Sequence, residues 1–197
     1  MTRLIGNLSE GLLFVISAPA GTGKTTLVHM LCEEFNCVKE SISCTTRQPR
    51  PGEMNGLHYT FLSKEEFQLK IKQGAFLEYA EVFGHFYGTL KEAVDAERKK
   101  GSHMILVIDT QGAMQLKNKV EGTFIFISPP TLSELRERLE KRKTETEETI
   151  EKRLAWAEEE LKMVTHYDYH IVNDNLIVAY DVLRSIIIAE EHKIRRT

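Results

Sequence analysis

The chain is poor in the features that define several large protein classes. It has three cysteines, Cys32, Cys37 and Cys44, an odd count with no C-x-x-C pair and no histidine at a metal-ligand interval. That excludes a disulfide framework, disfavours structural zinc, and leaves free buried thiols in a reducing compartment as the expectation. Long hydrophobic runs are missing too. The longest, such as Leu12 to Ile16 and Met104 to Ile108, are strand-length, and the N-terminus has no basic-then-apolar signal segment. A soluble cytoplasmic protein with no membrane partner is expected. Nor is there an excess of charge of one sign: 26 basic residues against 29 acidic give a net charge of -3. Nothing draws the chain nonspecifically to nucleic acid, so any polyanion it binds must be gripped locally. Linkers of Pro, Gly or Ser, internal repeats and low-complexity tracts are absent. With 197 residues and 42% hydrophobic content, one domain with small appendages is expected.

What is present starts at Leu12-Leu-Phe-Val-Ile-Ser17, an apolar strand, followed by Ala18-Pro-Ala-Gly21-Thr-Gly23-Lys24-Thr25-Thr26. Glycines at 21 and 23 allow positive φ and aim backbone N–H groups at phosphate oxygens. The helix that follows adds its positive dipole end, Lys24 reaches the β and γ phosphates, and the Thr25 hydroxyl suits Mg²⁺. The pattern G-x-x-x-x-G-K-[ST] would place glycine where Ala18 stands.

Beyond the turn, strands alternate with helices. Leu27, Met30, Leu31 and Phe35 give Thr25 to Phe35 one apolar face. Ser63-Lys-Glu-Glu66 reads as a capping box opening a helix to about Gln73. Thr131-Leu-Ser-Glu134 opens another, with Leu132, Leu135 and Leu139 on one side. Met104 to Asp109 and Thr123 to Ile127 have the continuous apolar character of strands covered on both faces. Tyr169 to Val172 is expected as a further strand, and Leu176 to His192 as a final helix with Val178, Val182, Leu183 and Ile186 in the core. This succession implies an α/β fold with a central parallel sheet flanked by helices and ligands at the strand carboxyl ends, where both the glycine turn and Asp109 lie.

The section between the first crossover helix and Met104 differs in character. Its alternation and aromatic residues suggest a small mixed β insertion. Arg47 and Arg50 stand three apart on a proline-stiffened loop, and two guanidinium forks on a rigid loop suit a phosphate other than the triphosphate. Taken singly, these arginines are ordinary surface charges, and Tyr59 and Tyr87 ordinary packing groups.

Seven segments in order, Ser17 to Thr25, Thr45-Thr-Arg-Gln-Pro-Arg-Pro-Gly-Glu53, Phe76-Leu-Glu78, Tyr87-Gly-Thr89, Ile108-Asp-Thr-Gln-Gly112, Thr144-Glu-Thr-Glu-Glu148 and Ile171-Val-Asn-Asp174, resemble guanylate kinase of the bacterial type over almost the whole chain. Bacterial members also write Ser-Ala-Pro before the turn. The resemblance implies ATP + GMP ⇌ ADP + GDP in purine nucleotide metabolism. It further implies a P-loop core of residues 1–40 and 92–197, a GMP-binding insertion at 41–91 and a helical lid around 135–154. ATP would be held by Ala18, Pro19, Ala20, Gly21, Thr22, Gly23, Lys24, Thr25, Thr26, Arg138 and Asn173. GMP's phosphate would be held by Arg47, Arg50, Tyr59 and Tyr87, with Ser43, Glu78 and Thr89 reading guanine and Asp109 beside them. Lys24, Arg50, Arg142 and Arg153 would supply catalytic charge, and Thr25 would ligate Mg²⁺. One position departs: the family commonly carries a second carboxylate where Val107 stands, on the same strand face as Asp109. Noncatalytic scaffold modules related to these kinases lose the loop glycines and lysine, which are intact here. A related kinase acting on a phosphorylated sugar would need no guanine reader.

Overall fold

The computed structural model describes residues 3–141 and 146–194. In chain order the elements are β1 (Leu13–Ser17), α1 (Lys24–Glu34), β2 (Val38–Glu40), β3 (Cys44–Thr45), β4 (Thr60–Phe61), α2 (Lys64–Lys72), β5 (Phe76–Val82), β6 (His85–Leu90), α3 (Lys91–Arg98), β7 (His103–Val107), α4 (Thr110–Leu116), β8 (Thr123–Ser128), α5 (Leu132–Lys141), α6 (Glu147–Lys162), β9 (Tyr169–Val172) and α7 (Leu176–Glu191). The central sheet is parallel, ordered β2-β7-β1-β8-β9.

Why β1 and β8 read as unbroken apolar runs is visible in their packing. Phe14 and Ile16 face Leu27, Val28 and Leu31 of α1 together with Leu183 and Ile187 of α7. Leu13 and Val15 face Val94 of α3 and Ala113 and Leu116 of α4. Successive side chains enter opposite cores, so polar residues stand only at the strand ends, at Ser17, Thr123 and Ser128. The helix starts read from the sequence are present: Ser63 Oγ accepts from Glu66 N–H at 3.1 Å while Glu66 Oε2 accepts from Ser63 N–H at 2.7 Å. Thr131 Oγ1 likewise accepts from Glu134 N–H at 3.1 Å, and Leu135 and Leu139 are fully buried.

Residues from Cys44 to Leu90 build a separate four-stranded mixed sheet, β4-β3-β6-β5. It has its own small core, in which the buried Phe67 ring of α2 stacks on Phe76 at 4.4 Å and Phe86 at 5.4 Å.

Two expectations need correction. In α7, Val178 and Val182 are exposed, and the core is met by Ala179, Leu183, Ile186 and Ile187. This helix is apolar around most of its circumference, so periodicity alone does not fix which stripe turns inward. Of the cysteines, Cys44 alone is fully buried, while Cys32 and Cys37 are half-buried near the edge strand β2. Away from the cleft, His103 of β7 is fully buried with its Nδ1 accepting from Leu12 N–H at 2.9 Å, so Nε2 carries the hydrogen and donates to Glu191 Oε2 at 2.6 Å. Glu191 also accepts from the backbone N–H groups of Gly6 at 2.6 Å and Asn7 at 3.0 Å, pinning the N-terminal segment to the end of α7. Among the described residues no helix is long and apolar enough to cross a membrane.

Candidate active site

The glycine turn sits at the carboxyl end of β1. Gly21 and Gly23 have φ of 95° and 87°, the left-handed region open to glycine, and Gly23 opens α1 without a side-chain cap. The first amides of α1 therefore lack intrahelical partners and face the turn. Both glycines are also close contacts. A Cβ on Gly23 would lie 2.6 Å from Asn173 Nδ2, and one on Gly21 would lie 3.0 Å from Leu139 Cδ2 of α5. Asn173 is buried and donates from Nδ2 to Thr22 O at 2.6 Å, while Arg138 Nη2 donates to Asn173 O at 2.9 Å. Arg138 and Asn173 thus stand directly behind the turn and brace it. Thr25 and Thr26 are exposed on the first turn of α1.

Lys24 Nζ donates to Ala18 O at 3.3 Å. Burial pulls its pKa down, and the carboxylates of Glu160, Asp109 and Glu40 oppose that pull. Asp109 caps α4, its Oδ1 accepting from Gly112 N–H at 2.8 Å, and burial raises its pKa. Its Oδ2 is buried with no hydrogen-bond partner among the described residues. Glu160, on α6, is buried and bonded to the N–H and hydroxyl of Thr110; burial pushes its carboxyl up to about 7, although Lys24 pulls the other way.

Across from this cluster the mixed sheet closes a cavity of about 150 Å³, lined by Lys24, Val107, Ile108 and Asp109 from the core and by Ser43, Tyr59, Glu78, Ala80, Val82, Tyr87 and Gly88 from the insertion. Glu78 is 4% exposed. Thr89 Oγ1 donates to its Oε1 at 2.6 Å, and its Oε2 rests against Gly112, where a Cβ would come within 2.5 Å. Burial pushes the Glu78 carboxyl up to about 7. Arg47 makes a paired contact with Glu53, 2.9 Å at each nitrogen, and lies over the Tyr59 ring at 5.3 Å. It also bonds Tyr87, and its pKa is raised chiefly by Glu53, whose own carboxyl falls to about 2. Arg50 is exposed, its backbone N–H held by Glu53 Oε2 at 2.7 Å.

The structure thus brings Lys24, Ser43, Tyr59, Glu78, Tyr87 and Asp109 to one cavity, with Thr89 behind Glu78. Val107 lines the same wall, as the two-residue strand period requires. Arg142 lies outside the described residues. Arg153 is half-buried on α6, four and seven residues before Ala157 and Glu160, and so shares their face. Two further acids act on Lys24 besides Asp109. Glu160 and Glu40 were not anticipated, because one stands in the run Glu158-Glu-Glu160 and the other ends a three-residue strand. Gly112, the seat of Glu78, was legible as part of Asp109-Thr-Gln-Gly112. A hollow of about 820 Å³ opens at the opposite, amino ends of β1 and β8 around Gly11 and Gly122. Parallel sheets of this kind bind ligands at the other end.

A guanylate kinase family model matches residues 11–190. The chain is 56% identical over 191 residues to a guanylate kinase of Protochlamydia amoebophila, covering 97% of each, and 50% identical over 189 residues to one of Desulfitobacterium hafniense, covering 95% of this chain and 94% of that one. The crystal structure of guanylate kinase from Anaplasma phagocytophilum superposes with a TM-score of 0.76 at 33% identity, over 97% of this chain and 90% of that one. A parallel sheet presenting a phosphate-binding turn, faced by a small mixed sheet that closes a cavity over a buried carboxylate, is thus found on a chain that matches the family nearly end to end, and the chain belongs to the guanylate kinase family.

Proposed function

We propose that the two sides of this cavity divide the guanylate kinase reaction, ATP + GMP ⇌ ADP + GDP, between them. ATP lies on the turn from Ala18 to Thr26, braced by Arg138 and Asn173. GMP lies on the insertion spanning about residues 41–91, and the segment around 135–154 closes as a lid. The observation that carries this reading is the single cavity joining Lys24 and Asp109 to Ser43, Glu78, Tyr59 and Tyr87.

Guanine presents N1–H and an exocyclic amine side by side, and an ionised Glu78 accepts both; a hydroxyl such as that of Ser43 can donate to O6. The Thr89 hydroxyl fixes one Glu78 oxygen and Gly112 leaves room for the other. The exposed Arg50 is available to the GMP phosphate, with Arg47 held beside it by Glu53 and the two tyrosines contributing hydroxyls. GMP's own phosphate oxygen is the nucleophile and needs no general base. Rate therefore comes from alignment and positive charge, supplied by Lys24 and by Arg50, Arg142 and Arg153. Thr25 and Asp109 would hold Mg²⁺ and its waters; the buried, unpartnered Asp109 Oδ2 is the kind of acceptor such water would satisfy. When bound, the ion would neutralise charge on the bridging phosphates. Lid closure excludes water as a competing acceptor.

The test is a coupled assay with ATP, Mg²⁺ and each nucleoside monophosphate. GMP should exceed AMP in kcat/KM by about 10⁴-fold, because adenine meets Glu78 with an acceptor at N1 and leaves the carboxylate unpaired. Lys24→Ala should lower kcat by about 10³-fold or more with the fold intact. Comparable activity on AMP would overturn the substrate assignment.

A further inference from the structure

The sheet register places one charged residue on the Lys24 side of the sheet from an unexpected strand. β2 runs beside β7 with Val38 opposite His103 and Glu40 opposite Ile105. Val38 and Ile105 both pack in the core beneath α1, and Val107 borders the same core. Alternate strand residues share a face, so Glu40 and Val107 emerge on the side of the sheet that carries α1 and, at its N-terminus, Lys24. Val107 lines the cavity wall without charge. Glu40, on the next strand, brings a carboxylate whose side chain is 32% exposed, with His29 Nε2 at 3.7 Å. Burial pushes the Glu40 carboxyl up while His29 and Lys24 pull it back toward the ionised form, and Glu40 in turn helps Lys24 to keep its proton, less than Glu160 and Asp109 do.

We propose that Glu40 is a positioning residue for Lys24, holding its ammonium toward the cavity from the β2 side and supplying there the negative charge that Val107 does not. The inference rests on the role given to Lys24 above. Lys24 otherwise has a 3.3 Å contact to Ala18 O, and a flexible four-carbon stem does not stay aimed on one long bond. Of the other two carboxylates that act on it, Asp109 caps α4 and Glu160 is bonded to the first residue of α4. Both are therefore tied to the α4 side, and Glu40 is the counterweight from the opposite strand.

Three variants test this, each measured for kcat, for KM with GMP and with ATP, and for melting temperature. Glu40→Gln should lower kcat about tenfold or more while changing either KM less than about threefold, the signature of charge misplaced in the transition state. Adding Val107→Asp to Glu40→Gln returns a carboxylate to the same face one strand over, and should recover most of the lost kcat. His29→Asn, which removes the exposed partner of Glu40, should leave kcat unchanged. Wild-type kcat in Glu40→Gln would overturn the proposal. So would a loss that tracks a lowered melting temperature and is not recovered by Val107→Asp. Turnover of ATP and GMP by the wild type, abolished in Lys24→Ala, tests the underlying reading independently; if it holds while Glu40→Gln is silent, Glu40 alone is wrongly assigned.

Discussion

Glu78 is where stability and substrate recognition pull against each other, and the conflict is measurable by pH. The carboxyl is 4% exposed and burial pushes it from an ordinary value of 4.5 up to about 7. The folded protein thus holds this proton more tightly than the unfolded chain does. The stability linked to it is complete below pH 4.5 and is lost as pH rises through about 7. Over that interval the penalty grows to about 3 kcal/mol at pH 8. Glu78→Gln keeps an acceptor for Thr89 and never ionises. Its melting temperature should match that of the wild type near pH 5 and exceed it by about 5–10 °C at pH 8, for a chain of this size. Guanine recognition should move the opposite way. The ionised form is the one that accepts both guanine donors, so wild-type kcat/KM for GMP should fall about tenfold per pH unit below about 7. GMP's own phosphate titrates near pH 6, and would add an acid limb to both proteins. The ratio of wild type to Glu78→Gln removes that contribution. It should exceed about 10²-fold at pH 8, where the amide opposes one guanine donor with its own NH₂, and shrink as the pH drops. Melting temperatures that run parallel across pH 5 to 8, or a ratio that does not change with pH, would refute the assignment of a buried, ionisable guanine reader to this position.

Three further outcomes follow from particular contacts. Gly112→Ala puts a Cβ 2.5 Å from Glu78 Oε2. It should therefore raise the GMP KM by about tenfold or more while leaving the ATP KM near wild type, and an unchanged GMP KM would mean that Glu78 does not need its seat. Glu191→Gln faces the N–H donors of Gly6, Asn7 and His103 with one acceptor fewer and an NH₂ in the wrong place. It should lower stability by about 2–3 kcal/mol in urea denaturation with activity retained below the transition, and a loss under about 0.5 kcal/mol would show that the network is not stabilising. In the wild type, donors to Glu191 hold its carboxyl at about 2 against the opposing effect of burial, so its contribution is present above pH 4.5 and is lost as pH falls toward 2. Trp156, the one tryptophan, rests on α6 against Phe83 at the β5–β6 turn, with ring centroids 5.9 Å apart. GMP binding that moves the insertion against α6 should change its emission. Phe83→Ala should red-shift the free protein and shrink the GMP response, and emission indifferent to GMP in the wild type would exclude motion at this contact.

What could be read from the sequence is what is determined over short spans. The glycine turn needs φ near 90° at residues 21 and 23 and a lysine at the head of the next helix, a requirement met within seven residues. The capping box at Ser63 and the cap at Thr131 close within four, and β1 and β8 announce burial on both faces by the unbroken apolar run in their middles. Where the determinant is another element, the signal fades. Val178 and Val182 are as apolar as Leu183, and only the packing of α7 on β1 and α1 decides that Ala179 and Ile187 turn inward. Strand alternation puts Glu78 and Glu81 on opposite faces of β5, and what the alternation does not show is that Gly112 and Thr89 close over the Glu78 carboxylate.

The cluster around Lys24 is the extreme case. Its three carboxylates come from residues 40, 109 and 160, on β2, at the cap of α4 and on α6. Asp109 could be found because it ends a strand beside a recognisable motif. Glu160 is one of three consecutive glutamates, and a helix turns each to a different side at 100° per residue, so composition cannot say which one meets the lysine. Val107 brings no acid to its strand, and Glu40 stands on the same face one strand over, opposite Ile105, on a strand some 65 residues earlier in the chain. The charge around Lys24 is a property of the surface that the sheet and its helices assemble from residues 40, 109 and 160, and no short stretch of the sequence contains it.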